Sequence, residues 1–290
     1  MTRLYEKKNF YTSNGDYSLD AKTKFAFAPF SEEKVKAYLN EIANIKLSSM
    51  TPVRTPICIT LDLSGSMTKL FENIKFLFSH MTEELMSVGR STRQYTLIIM
   101  IINNGEPQLG YVGDLTSFNC KDFVESLPNP YGMTPLAKSF SEADDILKKL
   151  YDVLETHKHW YTVPVFFTIT DSEENGSKDD CTKAIRRYSK DIQDGKKLFI
   201  EFVTNKNPNG LKLGGYKVHI DGKDSKSKII LFVDALKTAS STDVKLGDTF
   251  TSNKPHKENR EAFNAYYSDI MLFNFKMCFE RLKEMEDNKS

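Results

Sequence analysis

The chain has 290 residues, of which 40% are hydrophobic and 27% charged, and its formal net charge is +1. These values are typical of a globular chain that can bury a substantial core without disulfides or structural metals. The near-neutral charge balance gives no argument for a partner surface of nucleic acid, membrane or acidic substrate.

The cysteines and the N-terminus bear on the cellular compartment. None of the four cysteines belongs to a C-x-x-C pair, which disfavours a zinc or redox motif and favours buried, reduced thiols; they are Cys58, Cys120, Cys181 and Cys278. The polar stretch Met1 to Tyr17 lacks the apolar segment of a signal peptide, and no run approaches the roughly 18 apolar residues that span a bilayer. We therefore expect a cytoplasmic protein.

Residues 1–52 are predicted to form an extension that packs on the main domain. Ser31 followed by Glu32 and Glu33 is typical of a helix start. Apolar side chains then recur at helical spacing, at Val35, Tyr38, Leu39 and Ile42.

The main domain is predicted to span 53–239, where apolar strand-like runs alternate with amphipathic helical ones. The order is β-α-β-β-α-α-β-α-β. Its strands are predicted at 57–61, 95–102, 109–112 (an antiparallel edge strand), 163–170 and 198–203, and its helices at 70–88, 118–127, from Pro135 with Thr134 as cap, and after a Ser177 cap. Such alternation predicts an α/β doubly wound, mostly parallel sheet with helices on both faces.

The rest of the chain departs from this rhythm. Residues 204–228 hold six lysines against two acids and are predicted to be a loop or hairpin insertion, whose basic face is better explained as solvated surface than as a contact for an acidic partner. Ile229–Val233 could be the final strand or the start of a helix to Ala239. Residues 240–290 are predicted to be a polar linker and a long helix over 258–286, with an apolar stripe at Phe263, Tyr267, Ile270, Phe273 and Met277.

A possible metal site follows the first strand of the main domain. The sequence Asp62-Leu63-Ser64-Gly65-Ser66 places a carboxylate and two hydroxyls at alternating positions. A turn leaving a strand can direct these three oxygens at one point, and hard oxygens suit a hard cation. Ser66 could alternatively be only a helix N-cap.

Two further signals come from segments that a doubly wound fold would bring near this turn. Gly132-Met133-Thr134-Pro135 places a hydroxyl at the head of a helix, and Asp171 follows a buried strand. Together these residues resemble the adhesion motif of the von Willebrand factor A (VWA) family: D-x-S-x-S, then a threonine, then an aspartate. The resemblance covers about residues 55–235, and the G-M-T-P-L loop looks most like intracellular VWA proteins of bacterial tellurium-resistance and stress operons.

The resemblance implies a metal-dependent interaction module. In that family the two serines and the threonine contact the metal directly and the aspartates often act through water, which assigns these roles to Asp62, Ser64, Ser66, Thr134 and Asp171. The metal would be Mg²⁺ or Mn²⁺, and a protein partner would supply an aspartate or glutamate to it; neither nucleic acid nor membrane is expected as partner. Glu173 and Glu174 are interpreted as loop residues.

Enzymatic alternatives have weaker support in the sequence. Ser64 stands where a phosphatase of the haloacid-dehalogenase type needs its second aspartate, and no phosphate-binding G-x-x-x-x-G-K-[ST] loop or G-x-S-x-G elbow is present. No base is placed beside a nucleophile in any motif. We therefore expect a non-enzyme, with a Mg²⁺-dependent hydrolase or nucleotide-handling enzyme on a similar sheet as the alternative.

Overall fold

The computed structural model describes residues 28–29, 32–43, 53–88, 95–103, 106–157, 160–161, 163–176, 178–204, 210–220 and 288. The strands are β1 (Ala28–Pro29), β2 (Val53–Asp62), β3 (Tyr95–Asn103), β4 (Glu106–Asp114), β5 (Trp160–Tyr161), β6 (Val165–Thr170), β7 (Leu198–Val203) and β8 (Tyr216–His219). The α-helices are α1 (Glu32–Ala43), α2 (Phe71–Val88), α3 (Cys120–Ser126), α4 (Leu136–Thr156) and α5 (Lys178–Gln193), and short 3₁₀ helices cover Gly65–Leu70 and Leu115–Ser117.

The strands form one mixed sheet in the order β1-β4-β3-β2-β6-β7-β8, with β5 beside the start of β2. Five neighbouring strands, from β3 to β8 in this order, are parallel, whereas β4 runs antiparallel to β3 and β1 antiparallel to β4. Helices lie between β2 and β3, between β4 and β6, and between β6 and β7 along the chain, as expected for parallel strands joined by crossover connections. The predicted doubly wound α/β fold is confirmed.

Aromatic clusters cover the two faces of the sheet. On one face, Phe140 of α4 and Tyr188 of α5 stack at 4.9 Å between ring centroids, and Phe166 of β6 contacts Tyr188 edge-on at 5.3 Å. On the other face, Phe78 of α2 packs on Phe123 of α3 at 5.1 Å. Large rings of this kind bury much apolar surface and join each helix layer to the strands.

The N-terminal extension is part of the same body. Helix α1 lies against α4 and β4, and Val35, Tyr38 and Leu39 are buried as the helical spacing predicts. The tyrosine hydroxyl donates to Asp114 at the end of β4, where Arg54 of β2 also pairs with that aspartate.

Two features of the sheet differ from the predictions. Strand β4 is not an edge, because Ala28–Pro29 pairs outside it. The stretch predicted as a loop or hairpin insertion contributes β8, which runs parallel to β7. Val218 of β8 is buried between the half-buried Lys217 and His219, and Ile220 after the strand is also buried. The apolar run 229–233 and the predicted helix 258–286 lie outside the described residues, as does Ser177.

Cysteine and membrane predictions can be compared in the same residues. Cys58 and Cys120 are buried and Cys181 is half-buried, and all three are free thiols; Cys278 is outside the described residues. No helix in the described part of the chain combines the length and apolarity needed to cross a bilayer.

Candidate metal centre

The candidate centre lies where the strand order reverses. From β2 the chain builds β3 and β4 on one side, then crosses over to build β6, β7 and β8 on the other. In open α/β sheets this reversal opens a crevice at the carboxyl ends of the strands, which is where ligands bind. Asp62 is the last residue of β2, and Thr170 is the last residue of the neighbouring β6.

Asp62 is fully buried at this crevice. Its Oδ1 accepts a hydrogen bond from the Ser64 backbone N–H at 2.9 Å, and its Oδ2 accepts one from the Thr170 hydroxyl at 2.6 Å. Burial raises the pKa of Asp62 to about 6, with a smaller contribution from the Asp171 carboxylate, although the hydrogen bonds act in the opposite direction. A buried carboxylate disfavours its own charge unless a cation lies beside it.

The two serines of the motif face each other. Ser64 is buried and Ser66 is exposed, and their hydroxyl oxygens are 3.1 Å apart. Ser64 precedes the 3₁₀ helix that begins at Gly65, and its side chain makes no capping hydrogen bond. Ser66 lies within that helix, so an N-cap role does not explain it.

A second loop is hydrogen-bonded directly onto this turn. The backbone N–H of Tyr131 donates to the Leu63 carbonyl at 2.8 Å, and the N–H of Gly65 donates to the Gly132 carbonyl at 3.2 Å. Tyr131 and Gly132, the loop residues in these two bonds, are three and two positions before Thr134. The D-x-S-x-S turn and the Thr134 loop are therefore held together by their backbones.

A third loop, after β6, fixes Thr134 from the other side. The side-chain oxygen of Asn175 accepts from the Thr134 N–H at 3.0 Å, and the Asn175 N–H donates to the Thr134 carbonyl at 3.0 Å. The same loop contains Asp171, which is buried and accepts from the Glu173 N–H at 3.2 Å. Asn175 was missed by the sequence reasoning, since an asparagine in a polar loop carries no distinguishing signal.

The prediction that Thr134 caps α4 with Pro135 as its first residue is wrong. The helix begins at Leu136 with Pro135 as N-cap, and the Glu174 carboxylate accepts from the Ala137 N–H at 2.7 Å. Glu174, interpreted from the sequence as a loop residue, thus takes the capping role. The Thr134 hydroxyl, in a residue only 1% exposed, has no hydrogen-bond partner among the described residues.

Glu201 of β7 is a further buried residue near the carboxyl ends of the strands, and the sequence reasoning missed it. Its carboxylate accepts from the Ser172 hydroxyl at 2.5 Å and from the Leu211 N–H at 2.8 Å, and burial raises its pKa. Ser172 has a left-handed φ of 62°, and its N–H donates to the Thr170 hydroxyl at 3.0 Å. A chain of hydrogen bonds therefore runs from Glu201 to Asp62. A single acid inside the apolar run 198–203 is the signal that could have revealed it.

The donor chemistry of this edge suits a hard divalent cation. Asp62, Ser64, Ser66, Thr134 and Asp171 supply two carboxylates and three hydroxyls from three joined loops. All-oxygen sets favour Mg²⁺ or Mn²⁺ over Zn²⁺. No group of three or more His, Cys, Asp and Glu side chains that could hold a metal occurs in the described ranges. A metal at this edge would therefore depend on the hydroxyls as well as the carboxylates.

Comparison with known proteins gave matches among solved structures alone. No family model matches the chain, and no curated protein does. A von Willebrand factor type A protein from Catenulispora acidiphila is 13% identical over 65% of this chain, with a TM-score of 0.47, and the chain spans only 43% of that protein. The vWF domain of the type V pili tip protein Mfa5 from Porphyromonas gingivalis is 9% identical over 65% of this chain and 97% of its own length, also with a TM-score of 0.47.

A third similar structure is the conserved hypothetical protein BatB from Bacteroides thetaiotaomicron. It is 16% identical over 63% of this chain and 98% of its own length, with a TM-score of 0.43.

Proposed function

We propose that this chain is a VWA-type interaction module that holds one Mg²⁺ or Mn²⁺ through Asp62, Ser64, Ser66, Thr134 and Asp171. The metal would bind the carboxylate of a protein partner. One observation carries the proposal: three loops are joined by backbone hydrogen bonds around the Asp62 carboxylate, which is fully buried and whose pKa burial raises. The family assignment rests on the motif resemblance together with this placement.

The coordination chemistry explains how such a site would capture a partner. Mg²⁺ prefers six oxygens in an octahedron and gives up its waters reluctantly. Five protein groups, two of them carboxylates acting directly or through water, leave a position that a solvent molecule would occupy. An Asp or Glu side chain of a partner can replace that solvent and gain a charge-assisted contact with the cation.

The site sits at the surface edge of the sheet in a manner that favours recognition. Ser66 is exposed, whereas Asp62, Ser64 and Thr134 are buried. A partner side chain can therefore reach the outer hydroxyl without opening the fold. We further propose that the module works inside an intracellular complex, of the kind found in tellurium-resistance and stress operons, as the G-M-T-P-L resemblance implies.

The metal proposal is tested by calorimetric titration of chelator-treated protein with Mg²⁺, Mn²⁺ and Zn²⁺. We expect one site per chain, a preference for Mg²⁺ or Mn²⁺, and loss of binding in Asp62→Ala. Asp152→Ala removes an exposed aspartate from α4 and should bind metal as the wild type does. A preference for Zn²⁺, or unchanged binding in Asp62→Ala, would contradict the proposal.

The alternative of a Mg²⁺-dependent hydrolase is tested with the same variants. Purified protein is incubated with a chromogenic phosphoester and Mg²⁺. We expect no turnover above the Asp62→Ala background. Turnover that requires Asp62 would replace the interaction module with an enzyme.

A further inference from the structure

Two exposed apolar side chains stand beside the candidate metal centre. Tyr131 is 53% exposed and Met133 is 57% exposed, and these are the only large hydrophobic residues so exposed in the part of the chain that the structure describes. Both lie within three residues of Thr134. Scattered exposed hydrophobics need no explanation, but two on one loop at a ligand crevice do.

The loop that carries them is fixed at both ends. The Tyr131 and Gly132 backbones are hydrogen-bonded to Leu63 and Gly65, and Thr134 is held by Asn175. A Cβ placed on Gly65 would lie 3.9 Å from the Tyr131 Cα, so the two loops are in close contact. Gly132 has a φ of 82°, a conformation that glycine adopts without strain. The exposed side chains are therefore presented from an ordered backbone next to the metal-binding groups.

Their exposure serves no packing purpose in the described fold. The residues that follow, Thr134 and Leu136, are 1% exposed and complete the core at this point. Tyrosine and methionine are enriched in protein interfaces, where tyrosine adds large contact area with little entropy loss and methionine adapts to irregular surfaces. Both residue types on one loop are typical of an interaction surface.

We propose that Tyr131 and Met133 select the partner by packing against a bulky apolar side chain adjacent to the partner's acidic residue. This inference rests on the proposed function, because the metal fixes where the acidic side chain sits. Tyr131 is three residues from Thr134, and three residues span at most about 10 Å of extended chain. A partner residue one to three positions from the metal-bound acid could therefore reach Tyr131 and Met133. The occupant is therefore a protein segment that combines an Asp or Glu with a large aliphatic or aromatic neighbour.

The chemistry of the partner segment follows from the position of Tyr131 and Met133 next to the proposed metal centre. A divalent cation attracts a carboxylate, and the apolar pair shares its loop with one of the proposed ligands, Thr134. A purely acidic segment would leave Tyr131 and Met133 in water, whereas an apolar neighbour would remove them from it.

The test uses a displayed library of random 12-residue peptides. Selections are run in Mg²⁺ on wild type, on the double variant Tyr131→Ser/Met133→Ser, and on Asp62→Ala, with the wild type in EDTA as a further arm. Tyr161→Ser serves as the matched control, because Tyr161 is a half-buried tyrosine in β5 beside the start of β2, at the opposite end of the sheet. Wild type and Tyr161→Ser should enrich an acid with a Leu, Ile, Phe, Trp or Met at a fixed offset.

The double variant separates this inference from the function on which it rests. It should still enrich the acid but lose the apolar companion, and an enriched peptide should bind it about tenfold more weakly than wild type. Acid enrichment in wild type without an apolar companion, or a companion that persists in the double variant, would overturn the inference and leave the metal function intact. Loss of acid enrichment from all Mg²⁺ arms would overturn both.

A second copy of the chain is the competing occupant. Sedimentation velocity of wild type over a range of concentrations should show no dimer that depends on these side chains. A concentration-dependent dimer that disappears in Tyr131→Ser/Met133→Ser would assign the surface to self-association and overturn the partner proposal.

Discussion

Replacement of Asp62 by asparagine should stabilise the metal-free protein at neutral pH. The side chain is fully buried, and burial raises its pKa from an ordinary 3.8 to about 6. A shift of this size corresponds to about 3 kcal/mol of unfavourable free energy for the ionised form in the folded state. The asparagine side chain would be neutral at every pH and would retain an oxygen to accept the Ser64 N–H.

The pH dependence fixes the sign of this effect. The folded pKa of Asp62 lies above its unfolded value, so the folded state binds the proton more tightly. Protonated Asp62 therefore stabilises the folded state fully below about pH 4, and this stabilisation is lost as the pH rises through about 6. The difference in unfolding free energy between Asp62→Asn and wild type should therefore shift in favour of the variant by about 2.5 kcal/mol between pH 4 and pH 8.

The assay is urea unfolding in EDTA at several pH values, repeated at pH 8 with Mg²⁺. Mg²⁺ at about 100 times its dissociation constant should add roughly 2.7 kcal/mol to the wild type and nothing to the variant. A difference between the proteins that stays constant from pH 4 to pH 8 would refute the electrostatic argument. Equal stabilisation of both by Mg²⁺ would remove Asp62 from the metal shell.

Three further predictions follow from individual contacts. Thr134→Val keeps the side-chain shape and removes the hydroxyl, so Mn²⁺ affinity measured by calorimetry should fall about tenfold or more. Thr134→Ser keeps the hydroxyl and should retain Mn²⁺ affinity. The free energy of unfolding of Thr134→Val should change by less than about 1 kcal/mol. Glu174→Ala should lower the free energy of unfolding by about 1 kcal/mol, because it removes the acceptor at the start of α4; an unchanged urea midpoint would rule out the capping role. Gly210→Ala should lower it by about 3 kcal/mol, since its Cβ would overlap the Glu201 carboxylate, whereas Gly195→Ala, also at positive φ but in open space, should lower it by about 1 kcal/mol.

Most of the fold was predictable because its longer strands and helices carry strong local hydrophobic patterns. Buried strands such as 95–102 and 198–203 are almost uninterrupted apolar runs, and α2 and α4 carry regular apolar stripes. Strand β8 was not predictable, because it is four residues long and its half-buried lysine and histidine resemble a polar loop in sequence. A short strand at the end of a sheet is stabilised by pairing with its neighbour, and this pairing cannot be read from the local sequence.

The sequence motifs single out the candidate site residues but not the residues that support them. Ser64 and Thr134 belong to motifs with fixed spacing, whereas Asn175, Glu174 and Glu201 act through contacts with residues 29 to 41 positions away, which sequence spacing does not encode. The predicted Thr134 cap failed because a carboxylate from another loop satisfies the α4 terminus instead. Such tertiary replacement of a local cap is invisible in a single segment.

The relaxation of bulk water protons tests most directly whether a metal bound at the carboxyl ends of the strands keeps one position open for a partner carboxylate. Mn²⁺ bound to a protein and retaining an exchangeable water enhances the relaxation of bulk water protons. We expect enhancement with wild type and not with Asp62→Ala, a decrease when acetyl-Gly-Glu-Gly-amide is added, and no decrease with the Gln analogue. No enhancement on adding Mn²⁺ to wild type, or enhancement that both peptides leave unchanged, would contradict this proposal.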